Sequence, residues 1–412
     1  MLQSVTIENF KSFEKATLPL APLTLLIGAN ASGKSNAIEA LQLLSWLASG
    51  RELRDLFYAV REQELSLRGG GKDLAGASGE ISLGCTVTED PDRPPLVFSI
   101  SLAATEVGLR IRAEHLMLGT TTLHETQNGG LEPEPRESHV TPGTVAALRD
   151  LRKQHSETIA KCPPLAGALS SMFFLDPDLR RMREYSYRQE KQLKRDGSAL
   201  SSVLYRLTEE EGQKEEALAF IRSLPEQDIR DISYIETPRQ EVMVQLHETF
   251  GGRSTPREAA LLSDGTLRVL AVAAALLSVP PGSMVVIEEI DNGVHPSRAE
   301  LLLRNIQEVA RQRNLRVLLT THNPALLDAI PPEAVPDTVA CYRDPEKGDS
   351  RLVRLEDLES YPELVAQGPV GRLVTKGILD RFLKDRDKRD ADAKTEKGLA
   401  WLSDFRRRAQ AP

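Results

Sequence analysis

Cysteine is scarce in this chain of 412 residues. The three cysteines, Cys85, Cys162 and Cys341, lie far apart in the sequence, and no C-x-x-C pair is present. This spacing argues against a disulfide framework and against a zinc site, both of which need cysteines in sets. Isolated cysteines are typical of proteins from a reducing compartment, so we expect a cytoplasmic protein.

Long apolar segments are also missing. The longest one, residues 269–279, is flanked by polar residues and is too short to cross a bilayer. The first eight residues lack a basic region followed by an apolar one, so they do not resemble a secretory signal peptide. Basic residues are not in excess either, because the net charge is −8, which gives no overall attraction for nucleic acid. With 40% hydrophobic and 27% charged residues, the composition is that of a soluble globular protein.

The first half of the chain contains segments with strand patterns and segments with helix patterns. Residues 2–7 and 23–27 have strand patterns, and apolar residues with helical spacing follow residue 35. From residue 80 to about 118, alternating apolar residues predict a set of antiparallel strands. A segment rich in Pro, Glu and Gly over 128–143 predicts an exposed loop and an internal boundary.

The second half returns to the alternation of strand and helix that is typical of a parallel α/β sheet. Strands are predicted over 284–287 and 316–320, with a helix over 296–313 between them. We therefore predict one domain over 1–330, followed by a C-terminal part, 331–412, that contains a hairpin, helices and a charged tail. Within the domain, a lobe with the antiparallel strands covers about 1–127 and a charged helical insertion covers about 144–230. A second lobe covers about 231–330. The predicted hairpin strands are residues 338–343 and 351–355.

A glycine-rich segment separates the strand over 23–27 from the helix after it. Gly28 and Gly33 let the backbone curl, so that its N–H groups converge at the N-terminus of a helix, where anions bind. Lys34 adds a positive charge for the β- and γ-phosphates, and the Ser35 hydroxyl is placed to ligate magnesium. The pattern predicts a binding site for a nucleoside triphosphate, formed by Gly28, Ala29, Asn30, Ala31, Ser32, Gly33, Lys34, Ser35 and Asn36.

Two carboxylates, Glu288 and Glu289, follow the predicted strand over 284–287. Beside a phosphate-binding loop, Glu288 would hold the magnesium shell through water, and Glu289 would polarise the attacking water. The structural alternative is that the two glutamates only mark the solvent edge of a strand.

His322 follows the next strand, where its imidazole could donate to the γ-phosphate or orient the water. A lone histidine is more often structural. Upstream, Ser263 and Gly265 precede an apolar helix, where a hydroxyl and a backbone amide would form a second anion-binding helix end. The alternative there is an ordinary helix cap, since serine and aspartate are common at that position.

The order of these motifs resembles that of ABC-type ATPase heads. Within that class the chain is similar to the SMC/RecF-like group, often described simply as AAA-family ATPases and related to the ATPase domains of OLD-family nucleases. Residues 7–13, I-E-N-F-K-S-F, are similar to the first strand and turn of this group. The resemblance covers roughly residues 1–330 and implies an α/β fold, a P-loop NTPase head of ABC type with an antiparallel β lobe and a helical insertion. It also implies ATP and Mg²⁺ as ligands.

The resemblance gives each motif a role. It makes residues 28–35 the Walker A motif, 262–265 the ABC signature, Glu288 the Walker B acid, Glu289 the catalytic glutamate, 291–295 the D-loop and His322 the switch histidine. Two heads of such proteins pack head to tail around ATP, so Ser263 and Gly265 would complete the site of the partner protomer.

Three departures from the family pattern are visible. Thr266 stands where many signatures carry glutamine, and Glu288 stands where aspartate is commoner. The glutamine of the Q-loop has no clear position, and Gln63 is a candidate for it.

The resemblance further implies an ATP-hydrolysing homodimer that acts in DNA repair or antiphage defence, together with a separate effector such as a nuclease or Toprim-like protein. About 90 residues follow His322, too few for a Toprim domain in this chain. Two D-x-D motifs, at 385–387 and 390–392, lie in a polar run with no strand before them.

Two other functions stay open at this point. The chain could be the ATP-binding subunit of a membrane transporter, although the signature of those subunits follows the P-loop much sooner. Alternatively, the basic residues and two tyrosines of 180–195 could contact DNA phosphates and stack on bases. The structural explanation for that stretch is a solvated helix face.

Overall fold

The computed structural model describes residues 1–62, 64–76, 78–88, 92–105, 108–127, 163–222, 228–250, 253–291, 296–384 and 386. Strands of this part of the chain form three sheets. The strands are β1 Leu2–Phe10, β2 Phe13–Pro19, β3 Leu23–Ile27, β4 Glu80–Val87, β5 Leu96–Thr105, β6 Gly108–Leu118, β7 Thr121–Gln127, β8 Phe173–Leu175, β9 Ser186–Tyr187, β10 Asp228–Glu236, β11 Glu241–Phe250, β12 Arg253–Glu258, β13 Met284–Ile287, β14 Arg316–Thr321, β15 Val339–Arg343 and β16 Ser350–Arg354.

Helices cover the sheets and connect them. They are α1 Lys34–Ala48, α2 Leu56–Arg61, α3 Gly71–Leu74, α4 Pro163–Ser170, α5 Leu179–Met182, α6 Leu200–Tyr205, α7 Lys214–Ile221, α8 Asp264–Ser278, α9 Pro296–Gln312, α10 Pro324–Asp328, α11 Tyr361–Ala366 and α12 Val370–Thr375. Among the described helices, none is both long enough and apolar enough to cross a bilayer.

The central sheet has the order β16-β15-β3-β14-β13-β8, and only β16 runs antiparallel to its neighbour. The strands β3, β13 and β14 are buried along their whole length, because helices cover both faces of a parallel sheet. Alternate residues of β3 pack in different cores. Leu25 and Ile27 contact the core that contains α8 and α9, whereas Leu26 belongs to the core that contains α1.

A second sheet, with the order β2-β1-β4-β5-β6-β7, is antiparallel throughout. Its inward side chains, such as Ile81, Leu83 and Phe98, share the core of α1. The helix α1 therefore lies between this sheet and the central one. The antiparallel lobe and the parallel sheet were both predicted from the sequence, and the fold class is confirmed.

The predicted helical insertion contains more than helices. In its described part, β8 joins the edge of the central sheet, and β9 pairs with β11. A third, antiparallel sheet with the order β10-β11-β12 covers 228–258, where no strand was predicted. The predicted loop over 128–143 lies outside the described residues, as does the start of the helical prediction. The C-terminal hairpin forms as predicted, and β15 pairs in parallel with β3.

Candidate functional site

The predicted phosphate-binding loop, residues 28–33, connects β3 to α1, and this order of strand, loop and helix agrees with the sequence prediction. Gly28 has a φ of +153° and Gly33 a φ of +119°, a region that favours glycine. Space is restricted as well, because a Cβ atom at Gly28 would lie 2.1 Å from the backbone oxygen of Cys341 in β15. A Cβ atom at Gly33 would lie 2.5 Å from the hydroxyl of Ser350 in β16. Both glycines are therefore required by the close approach of the C-terminal hairpin.

Lys34 is half-buried at the start of α1. Its Nζ atom donates to the backbone oxygen of Gly28 at 2.6 Å and to that of Ala29 at 3.0 Å. Burial lowers the pKa of Lys34, while the electrostatic interactions with Cys341 and with the Glu289 carboxylate oppose this effect. The ammonium group thus lies over the loop that would hold the phosphates.

Glu289 has a strained backbone, with a φ of +49°. Its N–H donates to the hydroxyl of Thr320 in the neighbouring strand β14 at 2.9 Å, and the N–H of Ile290 donates to the backbone oxygen of Thr320 at 3.1 Å. Because β13 and β14 are parallel neighbours, their carboxyl ends meet at one edge of the sheet. The Thr320 contacts therefore fix where the chain turns after Glu288.

Glu288 lies in a crowded acidic environment. Burial raises its pKa most, and the neighbouring carboxylates Asp176, Glu289 and Glu39 raise it further. Arg195 opposes the shift, since its guanidinium lies 3.6 Å from the Glu288 carboxylate and 3.7 Å from that of Asp176. No sequence pattern marks Asp176 or Arg195 as neighbours of Glu288, because their proximity depends on the pairing of the three-residue strand β8 with β13.

One cavity of about 250 Å³ joins the predicted motifs. It is lined by Asn30, Ala31, Ser32, Gly33, Lys34, Ser35, Asn36, Ile38, Arg68, Glu288, Glu289, Thr320, Thr321, His322 and Arg343. His322 is exposed in its wall, directly after β14. Gly28 and Ala29 line an adjoining cavity that shares the loop. Ser263 and Gly265 are not among the described lining residues of either cavity.

Two arginines in the cavity wall were missed by sequence reasoning. Arg68 donates to the carboxylate of Glu39 in α1 at 2.7 Å, and two-thirds of its side chain is exposed. Arg343, at the end of β15, donates through Nε to the backbone oxygen of Ala31 at 3.2 Å. No local pattern marks either residue, since both reach the loop from distant elements.

Ser263 caps α8, as the structural alternative proposed. Its hydroxyl oxygen accepts from the N–H of Thr266 at 3.2 Å and lies 2.7 Å from the Thr266 hydroxyl. Asp264 pairs with Arg183 at 2.7 Å. Ser263 itself is exposed, whereas Gly265 is buried. A capping serine at an exposed helix end is compatible with a second role in binding an anion.

The basic stretch over 180–195 is not a continuous helix. It contains the end of α5, the short strand β9 and turns. Five of its cations form ion pairs within the chain, with the partners Glu184 for Arg181, Asp264 for Arg183, Glu210 and Glu236 for Arg188, Glu190 for Lys194, and Asp176 and Glu288 for Arg195. The stretch is therefore a solvated surface in which cations and carboxylates are paired, and not one face of a single helix.

Several predicted features lie outside the described residues. These are the Q-loop candidate Gln63, the D-loop residues 292–295 and both D-x-D motifs except Arg386. Asp291, the first residue of the predicted D-loop, is buried.

Comparisons with known proteins support the family resemblance. A family model described as "AAA domain, putative AbiEii toxin, Type IV TA system" matches residues 23–328. The matched span begins with β3 and ends with α10, so it includes the phosphate-binding loop, Ser263, both glutamates and His322.

Curated relatives match over different lengths. The DNA replication and repair protein RecF of Gloeobacter violaceus is 44% identical over 88 residues, which are 21% of this chain and 21% of that protein. The chain thus spans about a fifth of the RecF protein. An ATP/GTP phosphatase of Helicobacter pylori is 22% identical over 350 residues, which are 80% of this chain and 87% of the relative.

One solved structure shares the fold. An SMC head domain from Pyrococcus furiosus, with an extended coiled coil and bound to the C-terminal domain of ScpA, superposes with a TM-score of 0.50. The sequences are 14% identical, and the match covers 89% of this chain and 99% of that one. At this level of identity the likeness concerns the fold alone.

Proposed function

This chain belongs to the AAA domain family and is an SMC/RecF-like ATPase domain, and on that premise we propose that it binds and hydrolyses ATP in the cavity described above. The observation that carries the proposal is the convergence of Lys34, Ser35, Glu288, Glu289 and His322 on one cavity. These residues come from three separate parts of the sequence, and each has the chemistry that phosphoryl transfer to water needs.

The phosphates would be held by the loop between β3 and α1. Backbone N–H groups at the N-terminus of a helix bind anions, and the 15-residue helix α1 supplies such an end. Lys34 would exchange its contacts with the Gly28 and Ala29 carbonyls for contacts with the β- and γ-phosphates. The same cavity is also lined by Asn30, Ala31, Ser32, Gly33 and Asn36.

The residues around Glu288 fit magnesium. The Ser35 hydroxyl and the Glu288 carboxylate are the oxygen donors that this ion prefers, and both line the cavity. The carboxylates of Asp176, Glu289 and Glu39 add negative charge that a cation would offset. Bound magnesium would neutralise charge on the phosphate oxygens. Ser35 and Glu288 would hold it, Glu288 through water.

Glu289 is the proposed general base. Its backbone N–H is held by Thr320, and the residue lines the same cavity as the phosphate-binding loop. It would accept a proton from the attacking water, and His322 would orient that water or donate to the γ-phosphate.

We further propose that two copies pack head to tail around ATP. The helix end with Ser263 and Gly265 does not line the cavity of its own chain, which is what a site completed by a partner requires.

The proposed biological role is DNA repair or antiphage defence with a separate effector, in a cytoplasmic setting. RecF relatives named for DNA replication and repair support the first possibility. The family description names a toxin of a toxin–antitoxin system, which supports a role in defence. Neither is described as a transporter subunit, so no observation favours the transporter alternative. Co-purification with the product of the adjacent gene tests the role, and a membrane permease as the partner would contradict it.

Two substitutions test the enzymatic proposal. Lys34→Ala should abolish ATP binding, because the loop loses its only full positive charge. Glu289→Gln should retain ATP but lower the turnover about 100-fold or more, which is the size of effect expected for a general base. Steady-state ATPase assays and ATP titrations provide the measurements.

A matched control is Glu300→Gln, which removes an exposed carboxylate that pairs with Arg304 on α9. It should leave both ATP binding and turnover unchanged. A Glu289→Gln protein that hydrolyses ATP at the normal rate would overturn the assignment of the base.

A further inference from the structure

Three side chains and one backbone carbonyl form a chain of hydrogen bonds behind the phosphate-binding loop. The side-chain amide of Asn36 donates to the Ser12 hydroxyl oxygen at 2.7 Å. The hydroxyl oxygens of Ser12 and Ser350 lie 2.7 Å apart. The Ser350 hydroxyl lies 2.6 Å from the backbone oxygen of Ser32. The groups come from the turn after β1, the first turn of α1, the hairpin strand β16 and the loop itself.

The Ser350 hydroxyl is the donor in both of its hydroxyl contacts. The backbone oxygen of Ser32 can only accept, and the Ser12 oxygen accepts from Ser350 as well as from Asn36. The single hydroxyl hydrogen of Ser350 is therefore shared between the Ser32 oxygen at 2.6 Å and the Ser12 oxygen at 2.7 Å. Arg68 donates to the other end of the Asn36 amide, its Oδ1 atom, at 3.4 Å, which supports this orientation of the amide. The Ser350 hydroxyl therefore links the Ser32 carbonyl of the loop to Ser12 and, through the Asn36 amide, to α1.

The surroundings leave Ser350 little freedom. Ser350 is fully buried, and its backbone N–H donates to the Ser12 backbone oxygen at 2.6 Å. Its hydroxyl occupies the space beside Gly33, as the close approach to a Cβ there shows. The Cys341 thiol also donates to the Ser32 oxygen at 3.4 Å. The hairpin thus supplies two donors to one carbonyl of the loop.

The direction of that carbonyl fixes the N–H on the other side of the same peptide bond. In a trans peptide the C=O and N–H groups point in opposite directions, and this chain has no cis peptide bond in its described part. With the Ser32 carbonyl held towards the hairpin, the Gly33 N–H must point away from it. Gly33 is one of the residues that line the cavity.

We propose that Ser350 is a positioning residue for the nucleoside triphosphate: it holds the Ser32–Gly33 peptide with its N–H directed at the bound phosphates. The inference rests on the proposed function of the loop. It assigns a role in nucleotide binding to the C-terminal hairpin, which lies beyond the span 23–328 that the family model matches.

The test is Ser350→Ala, which keeps the burial and removes only the donor. A backbone donor that contacts the phosphate before and during the reaction contributes equally to substrate and transition-state binding. Its misorientation should therefore raise KM and the Kd for ATP about tenfold while kcat changes less than twofold. Ser350→Thr, which keeps a hydroxyl, should recover most of the ATP affinity. Titration calorimetry with ATP and steady-state kinetics give the three values.

The matched control is Ser201→Ala. Ser201 is also fully buried, and its hydroxyl accepts from the Val244 N–H at 3.1 Å, in a part of the core formed by α6 and β11. This variant should lose a similar amount of thermal stability and keep the ATP affinity of the wild type. Equal losses of ATP affinity in Ser350→Ala and Ser201→Ala would overturn the inference, because they would indicate a general effect of destabilisation.

The failure of the inference can be told apart from failure of the proposed function. If Ser350→Ala binds ATP as tightly as the wild type while Lys34→Ala does not bind it, Ser350 has no positioning role and the loop still binds ATP. If the wild type does not bind ATP, the proposed function is wrong and the inference with it.

Discussion

Two buried thiols differ in what they contact. Cys85 lies in β4, inside the core shared by the antiparallel sheet and α1, and burial raises its pKa to about 12. Cys341 lies in β15 behind the phosphate-binding loop, and burial raises its pKa to about 11, against the opposing effects of Ser32 and Lys34. Both thiols are therefore neutral near pH 7 and lack the thiolate that nucleophilic chemistry needs.

The raised pKa of Cys85 predicts that the protein loses stability at alkaline pH. Because the folded-state pKa lies above the unfolded value of 9.0, the stabilisation is complete below pH 9 and is lost as the pH rises towards about 12. Between pH 8 and pH 10 the wild type should lose on the order of 1 kcal/mol more free energy of unfolding than Cys85→Ala. Urea unfolding of both proteins at the two pH values measures this difference, and equal losses would contradict it.

The meeting of the candidate site residues at one sheet edge could be predicted from the sequence where they follow apolar strands. Glu288, Glu289 and His322 end neighbouring parallel strands, whose carboxyl ends share one edge of a sheet. Arg68 and Arg343 could not be predicted in this way, since their place in the wall depends on contacts between elements that are distant in sequence.

Among the elements, the β3–loop–α1 unit depends most on its neighbours. The strand β15 runs beside β3, with Ala340 opposite Ile27. The backbone oxygen of the next residue, Cys341, lies directly against Gly28. The loop therefore has its shape because a strand of the C-terminal hairpin supports it. A side chain at position 28 would have to displace either the loop or the hairpin.

Gly28→Ala should accordingly abolish ATP binding while the protein stays folded, as measured by ATP titration and circular dichroism. Gly282→Ala is the matched control: Gly282 also has a positive φ, +84°, but nothing lies within 4 Å of an added Cβ atom. The control should cost about 1 kcal/mol of stability through backbone strain alone and keep ATP binding. Full ATP affinity in Gly28→Ala would show that the loop tolerates the contact.

Elements with a uniform pattern were predicted well. β3, β13 and β14 are continuous apolar runs, and their bounds agree with the sequence to within a residue. The strands β8 and β9 have three and two residues, too few to show a period. The third sheet was missed because charged residues are dense over 228–258, although Val242, Val244 and Leu246 alternate inward on β11.

At the scale of the whole molecule, the proposed dimer needs two surfaces on each copy. One is the cavity with Lys34, Glu289 and His322, and the other is the exposed N-terminus of α8 with Ser263. ATP would join the surfaces because its negative charge is attracted to two helix N-termini at once. Hydrolysis would remove that link.

Ser263→Arg should prevent ATP-dependent dimerisation without preventing ATP binding, because the bulk enters the interface and not the Walker A loop. Light scattering after gel filtration in ATP measures the mass, with Glu289→Gln as the background that retains ATP. The control is Ser78→Arg at an exposed serine of the antiparallel lobe, which should leave the dimer intact. A Ser263→Arg protein that still dimerises normally would contradict the head-to-tail arrangement.

The position of β3 in the middle of the central sheet also affects how the protein is made. Its partners β14 and β15 are encoded about 300 residues later. At a synthesis rate of about 5–20 residues per second, the ribosome synthesises these two strands roughly 15–60 s after β3. During that interval the nascent chain contains the phosphate-binding motif but not the strands that shape it. Capacity to bind nucleotide would therefore arise late in translation, when the hairpin of β15 and β16 has emerged.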